Sequence, residues 1–338
     1  MLGEPHLRVL QRLDQPKSPT ELAEKLGYSV KHVSQTLSRL AEIGLATKER
    51  EGRRNIYRTT ENRATESYRE LTSRHPHVDF PEFLTPSYLS VVFHLDEART
   101  ADELTKISKP SRATVYRVLK ELRNRGMVRT EGDRYVVRDP YTPLTEFARE
   151  AALLEHGSRL RKDFPGGKSH VLWYNDYEFV ASLETSETED FNEMTKSNTE
   201  SDGRYYLTGL EALEDYNLRF LTTSEYHVFY TEDTKKTDAA NDKNSLPPED
   251  LACHVAIIQD RSSVDQRYTL LFLAKLRDEL GTQKSRLEER ALHYDIPRKM
   301  DALLGYLDAE GKTETRDGED LPTWDKFQRL VREYEVTA

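Results

Sequence analysis

An internal repeat constrains this chain more than any other feature of its sequence. Two segments align without a gap over about two dozen residues when 82 is added to the residue number. The matched positions are the apolar, capping and glycine residues that a packed pair of helices requires, so both segments are predicted to fold alike. The matched pairs are Glu21 with Glu103, Leu22 with Leu104, Ser29 with Ser111, Val33 with Val115, Leu37 with Leu119, Leu40 with Leu122 and Gly44 with Gly126.

The first copy contains two predicted helices joined by a tight turn. Ser18 precedes a proline and begins a short helix that Gly27 ends. Ser29 then caps a longer helix, which stops at Gly44. Apolar residues recur every three or four positions along it, which predicts one buried stripe. This stripe consists of Val30, Val33, Leu37, Leu40 and Ile43.

The second copy repeats this order with three predicted helices, at residues 87–95, 100–107 and 111–125. Each copy then ends in a predicted strand pair. In the first copy the strands are 45–50 and 55–59, and in the second they are 127–129 and 134–137, with a shorter turn. Helix, turn, helix and a β-hairpin wing describe a winged helix-turn-helix.

Residues 1 to about 140 resemble winged-helix regulators of the ArsR and MarR type. The resemblance rests on a Leu-x-x-Leu pair followed closely by Gly and then an apolar residue, at Gly44-Leu45 and Gly126-Met127. We therefore predict an α+β protein with two tandem winged helix-turn-helix domains and a mixed α/β, acidic C-terminal domain. The predicted boundaries are 1–66 and 83–140 for the winged helices, 67–82 for a linker, 141–164 for a connecting or dimerisation helix, and 165–338 for the acidic domain.

Charge is distributed unevenly along the chain. Residues 1–164 hold 29 Lys and Arg against 24 Asp and Glu, whereas residues 165–338 hold 21 against 36. The mildly basic half suits a nucleic-acid partner, because Lys and Arg make the phosphate contacts. The acidic half suits a basic protein partner or simple solubility. The excess of Arg over Lys and the many carboxylates resemble haloarchaeal composition.

The third helix of each copy carries small polar or basic side chains opposite its apolar face, as base reading requires. Arginines of the wings would reach flanking phosphates or the minor groove. Tyr116 would cover a sugar or a thymine methyl. The predicted DNA-binding residues are Ser29, Lys31, His32, Ser34, Gln35, Ser38, Arg39, Arg50, Arg53 and Arg54 in the first copy, and Ser111, Arg112, Thr114, Tyr116, Arg117, Lys120 and Arg134 in the second.

The second copy has an alternative role. Winged helices also mediate dimerisation or bind proteins, and a short wing with Glu131 and Asp133 favours that use. Double-stranded DNA and a second copy of the chain, as a homodimer, are the expected partners. Whether residues 143–163 form a connector or a dimer seam stays open, because they lack a heptad repeat.

Residues 205–218 resemble a segment of AbiE-type regulator-antitoxins, in which Tyr-x-Leu-Thr-Gly precedes Ala-Leu. Asn217 stands where that family usually has Gly, and a strand similar to residues 225–230 follows. The resemblance implies autoregulation of an operon and neutralisation of a nucleotidyltransferase-like toxin. The alternative is a small helix in a domain that dimerises or binds a regulatory ligand.

Further elements are predicted in the acidic domain. Strands at 169–174 and 178–183 form a hairpin, and residues 254–258 form another strand. Residues 185–203 are polar and predicted to be a loop. Helices are predicted at 264–280, 297–307 and 323–334.

No catalytic, cofactor or metal site is predicted. Paired carboxylates do not follow Gly157-Ser158, as nucleotidyl transfer would need, and neither a phosphate-binding loop nor a nucleophile elbow occurs. The single Cys253 offers no paired metal ligands, and His75 and His77 are interpreted as solvated histidines of the linker. With no long apolar run and no secretion signal in the first 13 residues, we expect a cytoplasmic protein.

Overall fold

The computed structural model describes residues 2–165, 167–184, 204–220, 225–232, 246–261, 266–278, 282–312 and 321–336. The chain forms two compact units. The first contains residues 1–162 together with 175–177, and the second contains 163–174 together with 178–338. Both units combine helices with small antiparallel sheets, which confirms the α+β class.

The first copy of the repeat contains three helices and a hairpin. Helix α2 (Pro19–Leu26) starts at a reciprocal cap, in which Ser18 Oγ accepts from the N–H of Glu21 while the Glu21 carboxylate accepts from the N–H of Ser18. Helix α3 (Val30–Ile43) ends at Gly44 with a φ of 89°, a conformation that favours glycine. The remaining elements are α1 (Glu4–Arg12), β1 (Ala46–Glu51) and β2 (Arg54–Thr59).

The second copy has the same helix cap and the same positive-φ glycine at matched positions. Thr100 and Glu103 form the same reciprocal cap, and Gly126 has a φ of 70°. In the second copy, Arg99 belongs to a short third strand that pairs with the strand beginning at Arg134. At the matched position of the first copy, Lys17 forms only an isolated bridge to Tyr57. The elements are α6 (Pro86–Phe93), β3 (Arg99–Thr100), α7 (Ala101–Ile107), α8 (Arg112–Asn124), β4 (Val128–Glu131) and β5 (Arg134–Val137).

Residues 67–82, expected to form a linker, contain most of helix α4 (Arg63–Arg74) and three of the four residues of α5 (Phe80–Phe83). Tyr68 and Phe80 are fully buried there, so the segment belongs to the core. Of the two histidines interpreted as solvated, His77 is exposed and His75 is half-buried. The ring of His75 stacks on Tyr141, with centroids 4.1 Å apart, and its Nε2 lies 3.0 Å from the carbonyl oxygen of Pro140.

Helix α9 (Thr142–Asp163) packs its apolar face within the first unit. Phe147 is fully buried against Tyr68 of α4, with ring centroids 4.9 Å apart. Nearer its C-terminus, Ser158 Oγ donates to the carbonyl oxygen of Glu42. These contacts favour the connector role, because Phe147 and Ser158 already have partners within one chain.

A buried polar cluster anchors residues 175–177 in the first unit. Asp176 accepts hydrogen bonds from Ser90 Oγ and, at 3.4 Å, from the N–H of Lys109, which precedes α8. His94 Nε2 lies 3.0 Å from the other carboxylate oxygen. Asp176 is only 5% exposed, so these partners supply the polar contacts that water would otherwise provide.

The second unit is built on a four-stranded antiparallel sheet in the order β6-β7-β9-β8. The predicted hairpin is confirmed as β6 (Lys168–Tyr174) and β7 (Glu178–Glu184), and the strand expected at 225–230 as β9 (Glu225–Thr231). Strand β8 is Arg204–Thr208, and a short 3-10 helix, Glu211–Tyr216, follows it. Asn217 ends that helix with a φ of 58°, a conformation that favours glycine.

Five helices lie in the described part of the second unit, and one prediction there was wrong. Residues 254–258 were predicted to form a strand but lie within a helix. The sequence does not separate the two, because a fully buried helix presents the same continuous apolar run as a buried strand. Burial lowers the pKa of His254 in this helix to about 3, which keeps the imidazole neutral. The predicted loop 185–203 lies outside the described residues. The helices are α10 (Pro248–Arg261), α11 (Arg267–Asp278), α12 (Lys284–His293), α13 (Pro297–Asp308) and α14 (Trp324–Glu333).

Candidate nucleic-acid interface

The outer face of α3 carries polar side chains. Lys31, Gln35 and Ser38 are exposed on it, and Ser34 is half-buried. Ser29 caps the helix by accepting from the N–H of His32, whose ring packs edge-on against Tyr28 at 5.4 Å. The opposite face is closed, since Val33, Leu37 and Leu40 have no exposed surface. A groove-sized helix with one free polar face is what major-groove reading requires.

The prediction that Val30 belongs to the buried stripe was wrong. Its side chain is 46% exposed, although Val33 and Leu37 of the same stripe are fully buried. Val30 is the first residue of α3, so it projects beyond the core that the following turns cover. An apolar side chain is therefore exposed at the start of α3, at the edge of its polar face.

Arg39 lies on α3 as predicted, but two carboxylates hold its guanidinium. Its Nη2 lies 2.8 Å from Oε1 of Glu155 on α9, and its Nη1 lies 3.2 Å from Oε2 of Glu42. Burial alone would lower the pKa of Arg39, but these two carboxylates outweigh it and raise that pKa. Arg39 thus ties α3 to α9, and a phosphate would have to displace both partners.

The first wing is basic. Strands β1 and β2 with their turn hold five cations and two carboxylates, and Gly52 at the turn has a φ of 59°. Arg58 pairs with Glu49 at 2.7 Å, and Arg50 Nε donates to the carbonyl oxygen of Gly52. Arg53 and Arg54 are exposed at the tip and form no ion pair with any described residue. Both guanidiniums are therefore available to phosphates.

The third helix of the second copy, α8, is more basic than α3 but partly neutralised. Arg112 lies 3.1 Å from Asp102 and over the ring of Tyr116, whose hydroxyl donates to the same carboxylate. Arg117 and Lys120 are exposed and form no ion pair with any described residue. Ser111 and Thr114 hydroxyls lie 3.1 Å apart at the start of the helix.

The second wing contains two cations and two carboxylates. Arg129 pairs with Glu131 at 3.0 Å. Arg134, predicted to contact DNA, makes two hydrogen bonds to Glu103, of 3.1 and 3.2 Å, and one to the carbonyl oxygen of Ala98. Burial would raise the pKa of Glu103, but the N–H of Thr100 and the Arg134 guanidinium lower it below its ordinary value. This wing has no net charge to offer a phosphate backbone.

A cavity of about 330 Å³ lies in the second unit. Its wall includes Glu178, which accepts from Thr231 Oγ1 at 2.9 Å and lies 2.6 Å from His293 Nε2. Asp250 is paired with Arg290, and burial raises the pKa of its carboxyl against the effect of that guanidinium. Among the described residues, no three side chains are placed to hold a metal ion. Nor does any helix in the described part of the chain have the length and apolar character to cross a membrane.

Three family models match segments of the chain. Residues 86–144 match the sugar-specific transcriptional regulator TrmB, a winged-helix family. Residues 6–60 match HVO_A0114, and residues 202–336 match the C-terminal model HVO_2833_C. No curated protein matches the chain.

The TrmB match covers the second copy from α6 to the start of α9. It supports a DNA-binding transcription regulator. The ArsR, MarR and AbiE resemblances stay predictions.

Proposed function

We propose that this chain is a sequence-specific DNA-binding transcription regulator with two tandem winged helix-turn-helix modules, the first (residues 1–66) reading the DNA sequence. The observation that carries the proposal is the exposed surface of the first module. There the polar face of α3 adjoins a wing whose tip arginines form no ion pair with any described residue. Helix and wing together provide the base-edge and phosphate contacts of this class.

Within the first module, different residues have different roles. Gln35 and Ser38 lie on the exposed face of α3, and their hydroxyl and amide groups can donate to and accept from base edges. Arg53 and Arg54 hold phosphates beside the groove and fix the register of the helix without reading sequence. Arg39 supports α3 through Glu155 instead of contacting DNA.

The second module (residues 83–140) has a supporting role. Arg117 and Lys120 add phosphate contacts, while the neutral wing suits a protein contact, such as that within a homodimer. Winged helices on a twofold dimer gain affinity by binding two half-sites together.

The acidic domain (165–338) carries the regulatory input. Its cavity suits a small ligand, and its net charge of −15 suits a basic protein partner. Repression is the simplest outcome, since an occupied operator excludes other proteins. The alternative function, an antitoxin, requires a neighbouring toxin gene. Inspection of the adjacent reading frame therefore distinguishes the antitoxin from the plain repressor.

Affinity for duplex DNA across a salt series tests the proposal. The full chain is used, because a fragment ending at residue 164 would lack Asp176 and its buried contacts. Lys31, Lys48, Arg53 and Arg54 form no ion pair with any described residue. If all four neutralise phosphates, log K should fall with log salt at a slope of about −3.6 per chain. A folded chain that retains no duplex from a random library at low salt would contradict the proposal.

A further inference from the structure

Large apolar side chains are exposed at only two of the described positions, and both lie in third helices. Val30 is 46% exposed at the start of α3, and Tyr116 is 43% exposed on α8. These helices contribute 14 and 13 residues to a chain of 338. Single exposed apolar residues are common on protein surfaces. Tyr116 already contacts Arg112 and Asp102, so Val30 is the one of the two whose exposure calls for a further explanation.

The position of Val30 is the one from which a recognition helix reaches deepest into a groove. It is the first residue of α3, directly after the cap Ser29, and the N-terminal residues of such helices contact base edges. At four-residue spacing, Val30, Ser34 and Ser38 form one row, which runs from the edge of the buried stripe onto the exposed face. Lys31 lies beside that row and supplies a cation next to the apolar group.

Folding does not explain valine at this position. Val33 and Leu37 fill the core of the module and have no exposed surface, so Val30 is not required there. A β-branched residue lowers helix propensity, and a polar side chain would be better solvated. The matched residue of the second copy is Arg112, so the fold itself accepts a charged residue.

On the basis of the proposed DNA binding, we propose that Val30 packs against the C5 methyl group of a thymine in the major groove and so specifies that base. Thymine is the one base that presents a methyl group there, and an apolar side chain is its complement. The neighbouring row of serines is small enough to let the helix approach that closely.

Uracil substitution tests the proposal, because deoxyuridine differs from thymidine by that methyl group alone. Duplexes selected by the full chain from a random library are resynthesised with each thymine replaced in turn. We expect about a fourfold loss of affinity at one position, the value of one buried methyl-sized group. The Val30→Ala variant should bind the thymine and uracil duplexes equally. Arg53→Ala is the matched control and should weaken both duplexes while keeping their ratio.

Three outcomes would overturn this proposal. Wild-type affinity could be unchanged at every uracil position, or Val30→Ala could keep the wild-type ratio between the two duplexes. Either result would leave DNA binding intact and remove only the role of Val30. If the folded chain selects no duplex at all, the proposed function fails together with this inference. Because Val30 is exposed, its variant should unfold at the wild-type temperature, which a thermal scan verifies.

Discussion

The two modules share a helical frame but place their positive charge differently. The first has a basic wing, with Arg53 and Arg54 exposed at its tip, beside a helix of small polar residues. The second has a basic helix and a wing without net charge, in which Arg134 is bound to Glu103. Capping and glycine positions are matched at the offset of 82, so the frame does not decide this difference. Two copies of one helical frame can therefore present unequal surfaces, because the pairing of their cations differs.

The buried contact of Asp176 belongs to the second module alone, and its removal should have the largest effect. Asp176→Ala leaves Ser90 and His94 without their buried acceptor, which costs about 3 kcal/mol in free energy of unfolding. Hydrogen exchange should accelerate in α6 and α8 and stay unchanged in α3. Asp133→Ala, at an exposed wing position, is the control and should change neither. Equal acceleration in both third helices would show that the modules unfold as one.

The wings provide the second test of the comparison. Arg53→Ala with Arg54→Ala should weaken DNA binding by about tenfold per arginine, because each loses a charge-assisted phosphate contact. The matched pair, Arg129→Ala with Arg134→Ala, should cost less than about threefold, since both arginines are held by carboxylates. The affinities of the two double variants are measured on one duplex at one salt concentration and compared with that of the wild type. Equal losses from the two pairs would show that ion pairing in the second wing does not limit its contact with DNA.

Sequence predicted the parts of the frame that rest on local signals. Ser29 and Gly44 bound α3 because capping and positive φ are decided within a few residues. The ion pair of Arg39 could not be predicted, because its partner Glu155 is 116 positions away in the sequence. The same holds for Arg134, whose partner Glu103 is 31 positions away. The sequence indicates which helix or strand carries a cation, and only the fold shows which carboxylate reaches it.

Two predictions from the sequence, those for residues 254–258 and for Val30, were wrong for different physical reasons. The apolar run at 254–258 was misread because burial on all sides removes the periodicity that separates helix from strand. Val30 was misread because the stripe extends one residue past the core, at a helix end where spacing still fits but no neighbour covers it. Both errors concern burial, which the sequence pattern reports only through periodicity.

The smallest expected effect comes from releasing Arg134. Glu103→Gln keeps a group that can accept from the N–H of Thr100, so the helix cap survives, but it removes the charge that holds the guanidinium. DNA affinity at low salt should rise about two- to threefold, the value of an exposed ion pair. Glu24→Gln is the control, because it removes the same charge at an exposed position of α2 that forms no ion pair with any described residue.

The pH dependence of stability gives an independent check on Glu103. Its pKa is lowered in the folded chain, so the stabilisation it provides is complete above the pKa of an unfolded glutamate and is lost as pH falls through the lowered value. Glu103→Gln should therefore reduce the acid dependence of the unfolding temperature. If affinity does not rise while this acid dependence falls, Arg134 is released but finds no phosphate, and the second wing lies away from the DNA.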